Sequence, residues 1–233
     1  MTKLPTLREL LEAGVHFGHK TSRWNPKMEE YIFTSKSGVH VINLEKTHQI
    51  LEKACKFLAE ASLDGKTILF VGTKKQAQGI VKKEAIACGM PYVTERWLGG
   101  LLTNFTTVRK ASEKLKIAKE RKESDEYEKL STRDRVRLDK EIEKREVLVG
   151  GLANLAKKPD AIILIGAHDE KNASTEANDC KIPVIALIDS NADPRNITYP
   201  IPANDDATKS IELFARVFSR TISENKKKAI VNK

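Results

Sequence analysis

Three cysteines in 233 residues, Cys55, Cys88 and Cys180, are too scattered and odd in number for a disulfide framework, and with no CxxC pair they offer no thiolate zinc site. No apolar run approaches the roughly 20 residues that span a bilayer. The first residues lead into an amphipathic pattern instead of the apolar centre of a signal peptide. A reduced, cytoplasmic setting is therefore expected. No Ser/His/Asp or Cys/His arrangement sits on a nucleophile elbow and HExxH is absent, so nothing anchors an enzymatic reading. What the chain has in excess is positive charge. Lys and Arg number 41 against 32 Asp and Glu, a net charge of +9, and such surfaces favour polyanions because counterions are released on contact.

Thr6 reads as the cap of a short helix bearing Leu7, Leu10 and Leu11, with Glu9 completing a capping box and Gly14 ending it. Residues 13–28 then read as a glycine- and proline-punctuated loop loaded with aromatic and cationic side chains. Tyr31-Ile32-Phe33 and Val39-His40-Val41-Ile42 flank a glycine turn, which puts Lys36 at a hairpin tip. A helix follows from Leu44 to about Ser62. From Lys66 the pattern changes to continuous aliphatic runs, the mark of parallel strands covered on both faces. Strand 67–71, helix 73–88 and strand 91–93 make a βαβ unit; strand 161–165, helix 170–180, strand 184–188, a short segment at 197–201 and a helix 205–222 resume it. This is a doubly wound, mainly parallel α/β sheet.

An antiparallel α-helical coiled-coil hairpin interrupts that alternation. Val108, Ala111, Leu115 and Ala118 keep a heptad spacing that Leu138, Ile142, Val149 and Leu152 return, with Arg145 in the seam. The expected division is residues 1–104 as the first part of the α/β domain, 105–152 as the protruding hairpin, 153–225 as the second part and 226–233 as a basic tail.

The loop Val71 to Gly79 lies where a phosphate loop belongs but matches neither GxGxxG nor GxxxxGK[ST]. Its Thr73, Lys74 and Lys75, at a helix start, can still hold a phosphate of a nucleic-acid backbone. His16 and His19, together with Asp189, Asp205 and Asp206, invite a structural divalent metal, although capping and turn formation explain most of these acids, as they do Asp193 before Pro194. Trp24 and Trp97 each follow an arginine, Arg23 and Arg96; the rings can stack on bases or pack on the core, packing being the safer reading.

Six ordered stretches carry a resemblance: residues 12–19, 24–28, 38–44, 70–74, Arg96-Trp97-Leu98-Gly99-Gly100-Leu101-Leu102-Thr103-Asn104-Phe105, and Ile201-Pro202-Ala203-Asn204-Asp205-Asp206-Ala207. Together they closely resemble the bacterial-type small-subunit ribosomal protein two family over essentially the whole chain. The resemblance implies a flavodoxin-like, Rossmann-like domain with an inserted helical hairpin, no active site, and a structural role in assembly and translation on the ribosome. It implies as partners the small-subunit rRNA and other small-subunit proteins, including the large messenger-binding protein one, with no membrane, no small-molecule substrate and no required cofactor. A bacterial cytoplasm and an organelle with bacterial-type ribosomes both fit. Matching motif positions, Arg23, Trp24, Lys27, Lys36, Lys74, Lys75, Arg96, Arg109, Lys110 and Lys114 become candidate RNA contacts. The chain departs from the family pattern at Gly166-Ala167-His168, where an acidic residue is usual. The competing readings are a nucleotide-binding α/β enzyme using the Gly72–Gly79 loop and a coiled-coil adaptor protein.

Overall fold

The computed structural model describes residues 3–153 and 155–231. Thr6 caps α1 (Leu7–Glu12): its hydroxyl accepts from the Glu9 N–H while the Glu9 carboxylate accepts from the Thr6 N–H. β1 (Phe17–Lys20), β2 (Ile32–Lys36) and β3 (Val39–Ile42) form an antiparallel sheet in the order β1-β3-β2. Ser37 and Gly38, both at positive φ, close the β2–β3 hairpin as the twist of paired strands requires. Strand β1 falls where an open loop was expected. Its backbone pairs with β3 regardless of side-chain pattern, and Gly18 lets it approach closely: a Cβ there would sit 3.0 Å from the Ser190 hydroxyl and 3.1 Å from the His40 carbonyl.

Then come α2 (Leu44–Leu63), β4 (Ile68–Val71), α3 (Lys75–Cys88) and β5 (Tyr92–Val93). The hairpin elements α4 (Phe105–Glu123), α5 (Asp125–Glu128) and α6 (Thr132–Val149) follow, and β6 (Ala161–Ile165), α7 (Lys171–Asp179), β7 (Val184–Ile188), β8 (Tyr199–Pro202) and α8 (Thr208–Val231) complete the chain. The second sheet has five parallel strands in the order β5-β4-β6-β7-β8. Along β4 the side chains alternate. Ile68 and Phe70 face a core shared with α2, α3 and α8, including Leu51, Val81, Phe214 and Phe218, whereas Leu69 and Val71 face a second core with Trp97, Leu101, Leu152 and α7. Because both faces are covered, every β4, β6 and β7 residue is buried, and the alternation is invisible as polarity.

α4 and α6 lie side by side and antiparallel, joined by Lys119–Glu146 and Lys122–Asp139 ion pairs. Their apolar seam is thin: Val108, Leu115, Val149 and Leu152 are buried, and Ile142 partly so. Ser131 caps α6 by accepting from the Asp134 N–H. At the hairpin base Gly151 packs on Tyr92 so closely that a Cβ would collide with the Tyr92 carbonyl and ring. Gly151→Ala should therefore cost about 1–3 kcal/mol through forced displacement of β5 or the hairpin base, read as a lowered denaturation midpoint.

The last helix continues past Ile222 to Val231, so Lys226, Lys227 and Lys228 are helical. Asn232 and Lys233, expected in a basic tail, lie outside the described residues. Among the described residues no helix is long and apolar enough to cross a membrane.

Candidate functional site: the carboxyl ends of the parallel strands

Numbered along the chain, the parallel strands run 2-1-3-4-5, which places the topological switch between β4 and β6. A cleft of 780 Å³ opens there at the carboxyl ends of the strands, lined by His19, Arg23, Lys74, Gln76, His168 and Asn191 among others. In nucleotide-binding relatives of this topology such a cleft takes phosphate. Here Lys74 fills its floor. The Lys74 ammonium lies 2.6 Å from Asp205, 2.8 Å from Asp206 and 3.2 Å from Asp169. His19, brought in on β1, bridges Asp189 through Nδ1 at 3.0 Å and Asp206 through Nε2 at 3.3 Å.

The electrostatics follow from burial and partner. Burial alone would lower the Lys74 pKa, but Asp205 and Asp206 outweigh it and hold the amine firmly protonated. Burial raises Asp205 to about 6 against the pull of Lys74; its Oδ2 is buried with no hydrogen-bond partner in the structure. Gly166, at positive φ, makes the arrangement possible, since a Cβ there would stand 3.0 Å from Lys74 Cε and 3.2 Å from Asp205 Oδ2. Glu170 accepts from the N–H and hydroxyl of Thr73 at 2.9 and 2.6 Å, and burial raises its pKa despite those bonds. The loop that begins α3 is thereby tied to the end of β6.

His19 is raised mainly by its hydrogen bond to Asp189, against an opposing burial effect. Its stabilising contribution is complete below the unfolded value near 6.5 and is lost as pH rises through the higher folded value. Asp205 acts in the same sense: its contribution is present at low pH and fades through about 6. His19→Gln should cost about 1 kcal/mol at pH 6, or about 2–4 °C in Tm, and much less at pH 8.5. Equal losses at both pH values would rule out protonated His19 as the tie.

The second organised feature is the Trp97–Thr103 turn. Glu176, on α7, accepts from the Trp97 indole N–H at 3.0 Å, the Gly100 N–H at 2.8 Å, the Leu102 N–H at 3.0 Å and the Thr103 N–H and hydroxyl. Burial alone would raise Glu176, but these donors bring it below the ordinary carboxylate value. Trp97 is buried, as the packing reading had it, while Arg96 beside it is exposed.

The candidate contact residues do not form one site. Arg23, Lys36, Lys75, Arg96, Lys110 and Lys114 are exposed at separate places: the cleft rim, the hairpin tip, the α3 start, the glycine turn and α4. Lys27 is paired with Asp193 at 2.8 Å, and Arg109 with Glu113 at 2.9 Å. Lys74 is put to a different use, as the internal counterion of three carboxylates. Trp24 is half-buried, its ring 5.1 Å from that of His40. Asp205 and Asp206 converge on the Lys74 amine, and His19 links Asp206 to Asp189 beside it. His16 stands apart, its ring 4.0 Å from Phe17. Among the described residues no group of three or more His, Cys, Asp or Glu is placed to hold a metal ion; Asp205 and Asp206 are paired with the Lys74 amine. Glu170 and Glu176 were missed from sequence: each serves loops far away in the chain, and no local spacing marks such a role.

The chain is thus a flavodoxin-like α/β platform with a charged helical arm set into it and an ion cluster of its own at the switch point. The family model described as ribosomal protein S2 matches residues 10–225. The small ribosomal subunit protein uS2 of Sulfurimonas denitrificans is 47% identical over 221 residues, spanning 95% of this chain and 85% of that protein. That of Dictyoglomus thermophilum is 48% identical over 220 residues, spanning 94% and 89%, and that of Campylobacter jejuni 45% identical over 221 residues, spanning 95% and 84%. The chain belongs to the ribosomal protein S2 family.

Proposed function

We propose that the chain is a structural component of the small ribosomal subunit, bound to small-subunit rRNA and to neighbouring subunit proteins and needed for assembly and translation. The observation that carries this reading is the family match over nearly the whole chain. The net charge of +9 supplies the physics: lysines and arginines on an α/β platform displace counterions from RNA phosphate and so position the protein without reading sequence. The six exposed cations Arg23, Lys36, Lys75, Arg96, Lys110 and Lys114 act as phosphate contacts, and the segment 105–152 acts as a contact arm. No cofactor, metal or small-molecule substrate is required; the ion cluster is a structural clamp. The finer partners rest on the family resemblance: the large messenger-binding protein one docks nearby, and the ribosome served is cytoplasmic.

Sedimentation tests the reading. Tagged protein should travel with small subunits at low salt and leave them progressively as ionic strength rises. Protein that stays at the top of the gradient in low salt overturns it.

A further inference from the structure

Cys180 caps the carboxyl end of α7, and its sulfur lies 3.6 Å from the side-chain nitrogen of Lys158, 22 residues earlier in the chain. Lys158 is exposed and Cys180 half-buried. Among the described residues Lys158 has no ion pair, and the sulfur is the partner of its amine. Both backbones are fixed. The Cys180 N–H donates to the Glu176 carbonyl, and Lys181, at a φ of 56°, turns the chain so that the buried Ile182 donates back to the Ala177 carbonyl. On the other side Pro159 is buried, and Asp160 holds the Lys157 ammonium and the Thr67 N–H. The contact therefore joins two anchored positions, and only the flexible Lys158 stem has to rotate to bring nitrogen onto sulfur.

The other two thiols are shut away. Cys55 and Cys88 are buried, and burial pushes each up to about 11, so neither supplies the thiolate that oxidants attack. Cys180 combines access to solvent with a neighbouring amine. The pair also sits at the base of the arm. Residues 155–160 carry the chain from the arm back into β6, and Arg109 on α4 donates to the Ala156 carbonyl there. α7 already holds the entry to the arm through Glu176, the acceptor of the Trp97–Thr103 turn. Cys180, one helical turn further on, meets the exit.

We propose that Cys180 and Lys158 form a redox-sensitive cross-linking site, which a hydroperoxide closes into a sulfur–nitrogen bond that staples the exit of the arm to α7. In the first step the thiolate sulfur attacks the peroxide and the O–O bond breaks. Sulfur keeps one oxygen as a sulfenic acid, and the other oxygen takes a proton from solvent and leaves as water or alcohol. In the second step the Lys158 amine, its extra proton given to solvent, attacks that sulfur, the same condensation that a backbone nitrogen undergoes. The S–O bond breaks, the S–N bond forms, and the departing hydroxide takes the proton released by nitrogen and leaves as water. Sulfur has lost two electrons and the peroxide has gained them. Excess thiol returns them, restoring the Cys180 thiol and the Lys158 amine while the reductant becomes a disulfide.

The test is chemical and independent of ribosome binding. Full-length reduced protein, freed of reductant, is treated with hydrogen peroxide at pH 8, alkylated, digested and read by mass spectrometry. The peptides of Cys180 and Lys158 should appear joined, with a mass two hydrogens below their sum, and thiol treatment should separate them. Lys158→Arg keeps the charge and removes the nucleophile, so in that variant Cys180 should persist as a sulfenic acid trapped by dimedone or advance to the sulfinic acid. Lys157→Arg, the neighbouring control, should cross-link as wild type does. Recovery of unoxidised Cys180 from the wild-type protein overturns the proposal. So does dimedone labelling of wild type to the same extent as Lys158→Arg, a disulfide between two chains, or a cross-link that runs to another lysine.

Discussion

Replacing Lys74 by methionine should cost the folded protein about 3–5 kcal/mol at pH 8, because the buried Asp205 carboxylate loses its counterion while its desolvation remains. For a chain of this size that corresponds to roughly 10 °C in Tm. The pH dependence identifies the cause. Asp205 already titrates at about 6, and without the ammonium its pKa climbs further, so acidification discharges the orphaned group and the variant should approach wild type near pH 5.5. Asp205→Asn in the same chain should recover at least half of the loss. Lys75→Met, one residue along and exposed, is the matching control and should change stability by less than about 0.5 kcal/mol. A Lys74→Met protein within about 1 kcal/mol of wild type at pH 8 would show that the amine is dispensable to the fold and free for an external phosphate.

Glu176→Ala should be the second large effect, about 3 kcal/mol, because it strips the acceptor from four N–H groups and a hydroxyl in one turn. The Trp97 ring reports it directly: emission should shift to the red as the indole loses its partner and the turn loosens. Glu176 has a depressed folded pKa, so its contribution is present above about 4.5 and disappears as pH falls through the folded value. Wild type and variant should therefore converge in stability at strongly acid pH and diverge above it. Unchanged emission would mean that packing alone holds Trp97.

The predictions differ in how far the sequence could have led to them. Strands β4, β6 and β7 were legible because their runs are wholly apolar, and α4 and α6 because their seam repeats. β1 was not, since Phe17-Gly18-His19-Lys20 has no alternation and owes its strand form to the neighbouring β3 backbone. The end of α8 was misplaced because Lys226–Lys228 read as a tail, although long cationic side chains are good helix formers. In the site, sequence motifs located Lys74, His19, Asp189, Asp205 and Asp206 as notable residues. Their use depends on distances between chain-distant loops, and an ammonium among three carboxylates looks the same in sequence as a free phosphate ligand.

The strand order also bears on how the molecule is made. β4 takes β5 on one side and β6 on the other, and the Thr67 N–H that opens this junction donates to Asp160, 93 residues later. While the polypeptide is being synthesised, that inner edge of β4 stays unpaired until the whole arm has emerged, leaving an apolar strand available to any other extended segment. Slow elongation through the arm should lengthen this exposure, and a nascent chain halted between residues 123 and 161 should be far more prone to misassociation than one halted after β7.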